Sequence, residues 1–239
     1  MDGAAAHDRS AARLNAFVDA AFAFAVTLLV VGVGTVPESL AELRAALVNV
    51  PAFAVSFALI AMFWAGHVRW RRHAGDRGGL ALLLSLALVF LVLVYVYPLR
   101  LMSLSVVQFV AGEAGRAARL EDVALLFTLY GLGFVAMAGV MAALWTVALR
   151  APAESSSRRA AARGEAVIWS MLMAAGLLSV TLAQFRATAP LAPWAYALLP
   201  AAIGVFVWRY DWSGGGLVAS GEQPASAGLG TVSAPPHGP

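Results

Sequence analysis

Asp19 poses the first chemical question. It follows Arg13 by six residues and sits about one turn inside an apolar run that begins at Leu14. A carboxylate at membrane depth is costly, so it faces either a partner or water. Two readings stand side by side: an interhelical bond that orders a helix bundle, and a charge at the mouth of a pore. Six residues rotate a helical side chain by roughly 240°. Arg13 and Asp19 therefore point to different faces, and each needs a partner from elsewhere. The second polar group is Trp64, His67 and Arg71, whose i, i+3, i+7 spacing places them on one helix face. Trp64 and Trp70 also fit an aromatic belt, the arginines fit snorkelling, and His67 fits a hydrogen-bonded core histidine better than a proton sensor. Asp19 and His67 fall at similar depth near the inner face, so a cluster of Arg13, Asp19, Trp64 and His67 fits the geometry.

Enzyme chemistry finds no footing. His7, His67, His73 and His237 show no metal-ligand spacing. No P-loop, GxGxxG or GxSxG occurs, and no paired carboxylates lie in the apolar runs. There is no cysteine, which excludes disulfides and thiolate metal sites. The expectation is a protein with no catalytic residues, no metal and no cofactor.

The elements that must hold these residues are membrane spans. Hydrophobic residues make up 61% of the 239 and charged residues only 12%, too few for a soluble domain. A span needs roughly 20 apolar residues. Six stretches qualify: Leu14–Thr35, Pro51–Val68, Gly79–Leu101, Val123–Leu149, Ala166–Phe185 and Pro190–Trp208. The first is too long for a signal-peptide core and reads as a retained span. All basic residues are arginine; 11 fall in segments that lie inside if the N-terminus is cytoplasmic, and 5 fall outside. The positive-inside rule then places both termini in the cytoplasm. The net charge of +3 is explained by these flanks, and nucleic acid is not expected as a partner.

The connections are short. Glu38–Val48 reads as a small amphipathic helix, Leu104–Val110 as an interfacial stretch, and Ala151–Gly164 as a solvated cytoplasmic loop. From Ser213 the chain holds 7 Gly, 4 Pro and 4 Ser in 27 residues, the composition of a disordered tail. The expected organisation is a cytoplasmic segment (1–12), a six-helix membrane domain (13–209) and a cytoplasmic tail (210–239).

The first span carries a seam. Phe17, Ala21, Phe24, Leu28, Val31 and Thr35 recur at 4-3-4-3-4 spacing, with Thr27 beside them. Periodicity alone favours ordinary helix packing over a pore lining.

Arg13-Leu14-Asn15-Ala16-Phe17-Val18-Asp19, leading into Ala20–Val31, resembles the first helix of the transmembrane protein 175 family. Phe63-Trp64-Ala65-Gly66-His67 resembles that family's Trp-x-x-His segment. Pro98 and Leu129–Gly133 fit more loosely. The family contains lysosomal and prokaryotic potassium channels, and its prokaryotic members are homotetramers of six-helix subunits whose first helix lines the pore. The resemblance implies an all-α integral membrane protein in a cell membrane. It implies a constriction at Phe24, Leu28 and Val31 with Thr27 as a polar ring, and a network of Arg13, Asp19, Trp64 and His67. No TVGYG filter is present. Two positions depart from the family pattern: Val18 replaces the motif serine, and Phe24 stands where isoleucine or leucine is usual.

The leading expectation is a homotetrameric cation channel, permeable to potassium and other monovalent cations, gated by a hydrophobic constriction. Proton leak through Asp19 or His67 is a variant of it. Val18 and Phe24 motivate the alternative of a non-conducting membrane scaffold that keeps the fold. A secondary transporter is weaker, because broken helices and polar midplane residues are few.

Overall fold

In a bilayer each backbone N–H and C=O must bond within its own segment, so apolar stretches of this length fold as helices. The computed structural model describes the backbone of residues 2–31, 38–48, 50–74, 78–110, 120–150, 155–185 and 187–212. Its elements are α1 (Asp2–Val31), α2 (Leu40–Val48), α3 (Val50–Ala74), α4 (Gly78–Val110), α5 (Leu120–Arg150), α6 (Ser156–Ala183), a single 3-10 turn (Ala189–Leu191), α7 (Trp194–Ala197) and α8 (Leu199–Arg209). Six stretches are long and apolar enough to cross a membrane: Ala12–Val30, Phe53–Ala74, Gly78–Leu101, Leu125–Arg150, Ser156–Ala183 and Ala189–Arg209. The protein is all-α.

Helices α5 and α6 form the most extensive pair, and α4 packs on α5. Helix α1 leans on α3 and α4 at the other side of the bundle. The core runs through all of them, with Val18, Phe22, Ala25 and Leu29 from α1, Phe63 and Trp70 from α3, Leu88 and Val92 from α4, Met137 and Met141 from α5, and Trp169 from α6. Two close approaches depend on glycine. A methyl at Gly66 would overlap the Trp169 indole, and one at Gly133 would overlap the Tyr95 ring.

The structure corrects two expectations. Ala151–Gly164 is not a loop throughout, because α6 begins at Ser156. Ser155 caps it by accepting a hydrogen bond from the Arg158 backbone N–H, and the Ala/Arg-rich sequence that follows favours helix. This added part is covered: Ala160, Ala162 and Gly164 are buried, and Tyr210 donates its hydroxyl to the Ala160 carbonyl at 3.0 Å. The last span is not one helix either. Pro190, Pro193 and Pro200 lack the N–H a continuous helix needs, so the chain crosses as a 3-10 turn, α7 and α8. Pro98, by contrast, is carried within α4, which runs on through the Leu104–Val110 stretch. Helix α1 likewise runs through most of the segment 1–12. Thr35, residues 151–154 and the tail from 213 lie outside the described residues.

Candidate functional site

The Arg-rich end of α3 is where the helices are tied together. Successive helical residues are rotated by about 100°, so neighbouring side chains fan toward different helices. Arg71 turns to α1: its Nη2 donates to both Asp19 carboxylate oxygens, at 3.0 and 3.3 Å. Trp64, nearly two turns earlier on that face, donates its indole N–H to Asp19 Oδ1 at 3.0 Å. Trp70 turns to α5 and donates to the Leu144 carbonyl at 2.8 Å. Arg69 turns to α6, where its Nε donates to Glu165 Oε1 at 3.0 Å. His67 faces α4, with Nε2 3.0 Å from Ser85 Oγ, both residues buried. One stretch of two turns thus bonds to four other helices. Its Arg71 Nη1 and His67 Nδ1 atoms are buried with no hydrogen-bond partner among the described residues.

Asp19 has its cation, and that cation is Arg71. The Asp19 side chain is 46% exposed and the Arg71 side chain 15%. The pair therefore sits at the boundary between the bundle and whatever covers α1. Arg13 is exposed and joins no ion pair among the described residues. Of the four residues expected to cluster, the structure joins Asp19 to Trp64 directly. His67 lies on the same helix face as Trp64 and Arg71, one turn before Arg71, and bonds to Ser85 instead.

The uncovered face of α1 is displaced from the expected seam. Arg13, Phe17, Ala20, Phe24 and Thr27 lie on its exposed side, again at 4-3-4-3 spacing. Phe24 is 56% exposed. The Thr27 hydroxyl donates back to the Ala23 carbonyl at 3.0 Å, which leaves the oxygen's lone pairs on the exposed side. Ala21 and Leu28 are half-buried at the flank and pack against the core. Val31 ends α1, and its side chain lies outside the described residues. The residues on this face differ from those on the uncovered face of α4. On α1 it carries Ala12, Ala16, Ala20 and Ala23 beside the two phenylalanines, Arg13 and Thr27. On α4 it carries Leu83, Leu86, Phe90, Val94 and Tyr97; on α8 Val205, Val207 and Trp208 stand beside Ala201, Ala202, Gly204 and Arg209.

Comparison with known proteins meets this geometry at the same residues. The profile of the endosomal/lysosomal potassium channel TMEM175 family matches residues 13–98, which hold most of α1, all of α2 and α3, and most of the spanning part of α4, with the Asp19, Trp64, His67, Arg71 and Ser85 contacts. Over those residues the chain is similar to the TMEM175 family. A potassium channel from Marivirga tractuosa is 32% identical over 134 residues, covering 52% of this chain and 54% of that relative, so the match spans about half the relative's length. A solved structure of a variant of the potassium channel MtTMEM175, in complex with a Nanobody-MBP fusion, superposes with a TM-score of 0.72 at 26% identity. That likeness covers 82% of this chain and 91% of the other. The TMEM175 family is one of ion channels rather than enzymes, and this chain is a multi-pass membrane protein.

Reading the sequence missed the bonding roles of five residues. Arg69 and Arg71 fit topology and snorkelling, Trp70 fits an interfacial belt, and Ser85 is a lone hydroxyl in an apolar run. Glu165 drew no attention because it lay at the edge of a segment read as solvated loop. A signal was present: Glu165 stands four residues before Trp169, so both project from one α6 face, and the Trp169 indole donates to Glu165 Oε2 at 3.2 Å.

Proposed function

We propose that four copies of this chain surround a common axis and form a potassium-permeable cation channel in a cell membrane, with the uncovered face of α1 lining the path. The observation that carries this reading is the makeup of that face. Small residues, a hydroxyl and an arginine suit close helix approach and an aqueous path, whereas the leucine-rich face of α4 suits lipid. The likeness to MtTMEM175 over most of both chains supports it, since that protein is a potassium channel.

Phe24 and Thr27 stand on the exposed side of α1. Phe24, Leu28 and Val31 form the constriction, with Leu28 contributing from the flank, and Thr27 supplies a ring of oxygen atoms. A narrow apolar ring excludes water, and a cation does not cross it dry. Four phenylalanines make a bulkier ring than leucine or isoleucine, and their faces attract cations once the ring widens. Asp19, bonded by Trp64 and Arg71, holds α1 to α3 in a fixed rotation while His67 ties α3 to α4, and Arg13 stands on the exposed side to meet a neighbouring subunit. The arginine bias supports cytoplasmic termini. Residues 13–209 are the channel body, between a cytoplasmic segment (1–12) and a cytoplasmic tail (210–239).

The test is flux of potassium into liposomes holding purified protein, with Phe24→Ala beside the native chain. The reading expects cation flux that rises with the smaller side chain. Silence of both, with tetramers intact, favours the non-conducting scaffold.

A further inference from the structure

We propose that Arg69, Glu165 and Trp169 form a second clamp on α3, opposite the Asp19 clamp, and that it positions α1 from a distance by anchoring α3 to the α5/α6 pair. The channel reading above is needed only for the flux part of the test.

The two clamps are built alike. On each, a carboxylate accepts one indole N–H and one guanidinium N–H. Asp19 on α1 takes Trp64 and Arg71; Glu165 on α6 takes Trp169 and Arg69. Both arginines come from α3, two residues apart, so they leave the helix about 200° from each other. Helix α3 is thereby gripped from opposite sides by α1 and α6. The Glu165 side chain is 16% exposed with both oxygens engaged and its partner Arg69 is 54% exposed, the mirror of the Asp19 clamp, where the arginine is the covered partner. An exposed ion pair contributes little. A carboxylate this covered, with a second donor fixing its orientation, holds geometry more firmly.

The joint between α3 and α6 depends on these side chains because the two backbones approach closely at few points. Besides the clamp, contact comes from the Trp169 indole, which lies against Gly66 and has its ring centroid 5.3 Å from that of Phe63. Gly66 and Phe63 are on the turn that also carries Trp64 and His67. A shift of Trp169 therefore moves the α3 surface that holds Asp19. On the α1 side the other anchor is apolar packing on α4, and the face beyond Asp19 is uncovered in the protomer. The firm α5/α6 pair thus reaches α1 through α4, which packs on both α5 and α1, and through α3, which carries the polar clamps.

The consequence is non-additivity. Glu165→Gln should matter only while α1 remains attached to α3. The experiment uses full-length protein in liposomes, native at both sites, with Asp19→Asn, with Glu165→Gln, and with both. Two readouts are taken: potassium flux, and the mobility of a nitroxide on Ala12→Cys, an exposed α1 position in a chain with no native cysteine. We expect Glu165→Gln alone to increase nitroxide mobility and to change flux by about fivefold, at the low end of coupling between sites. It should add nothing in the Asp19→Asn background. The charge exchange Arg69→Glu with Glu165→Arg keeps the ion pair but leaves the Trp169 indole without an acceptor, so it should restore both readouts only in part. Equal effects of Glu165→Gln in the two backgrounds would mark a merely structural role and overturn the proposal, as would no change in mobility. Should flux be absent in every variant while mobility follows the expected pattern, the channel reading fails and the clamp stands.

Discussion

Cutting the Asp19 clamp at each partner separately has a cost that can be estimated from its geometry. Replacing Asp19 by leucine removes the acceptor of the Trp64 indole at 3.0 Å and of Arg71 Nη2 at 3.0 and 3.3 Å. Bonds to a charged group contribute about 1.5–3 kcal/mol when buried. Asp19 is nearly half exposed, so water takes over part of its role, but the Arg71 side chain is only 15% exposed and would be left charged without its partner. We expect a cost of about 2 kcal/mol for Asp19→Leu. Arg71→Met leaves a carboxylate that reaches solvent and keeps Trp64, and should cost about 1 kcal/mol. The double variant should cost about 2 kcal/mol rather than the summed 3, because neither charge is then stranded. The assay is equilibrium unfolding in detergent followed by tryptophan fluorescence. Costs that add to within about 0.5 kcal/mol would refute the pairing. Arg13→Met serves as the comparison: it should show no coupling to Asp19.

Two further expectations follow from the same end of α3. Ser85→Ala removes the hydrogen-bond partner of buried His67 Nε2 and should destabilise by about 1–3 kcal/mol in the same unfolding assay, whereas Ser85→Thr, which keeps the hydroxyl, should cost less. Gly66→Ala places a methyl against the Trp169 indole and should cost about 1–3 kcal/mol by overpacking, with a change in tryptophan emission as the ring is displaced.

The spans were legible because lipid makes a simple demand: enough consecutive apolar residues, with arginines at the ends. Where the structure departs from that reading, a local rule prevailed. Ser155 capped a helix ten residues earlier than hydropathy alone would start it. Three prolines divided the last crossing, although its composition is as apolar as a single span. The polar residues were legible as anomalies, but their partners were not. Asp19 announced that it needed a cation; nothing in chain order shows that α3 delivers Arg71 to it across 52 positions, rather than Arg13 from its own helix. The seam on α1 was read one flank away from the exposed line, because Phe17 and Phe24 belong equally to both periodic sets. Only the packing of Leu28 and Ala21 against the core separates the two.

Whether the free side of α1 borders the ion path can be asked directly, residue by residue. Single cysteines at Thr27 and, for contrast, at Phe90 on the leucine-rich side of α4 can be introduced into this thiol-free chain. A charged, membrane-impermeant thiol reagent is then applied during potassium flux. Modification at Thr27→Cys should arrest the current while Phe90→Cys continues unaffected. Flux that persists after Thr27→Cys has reacted, or that stops only when the α4 position is modified, would contradict the account.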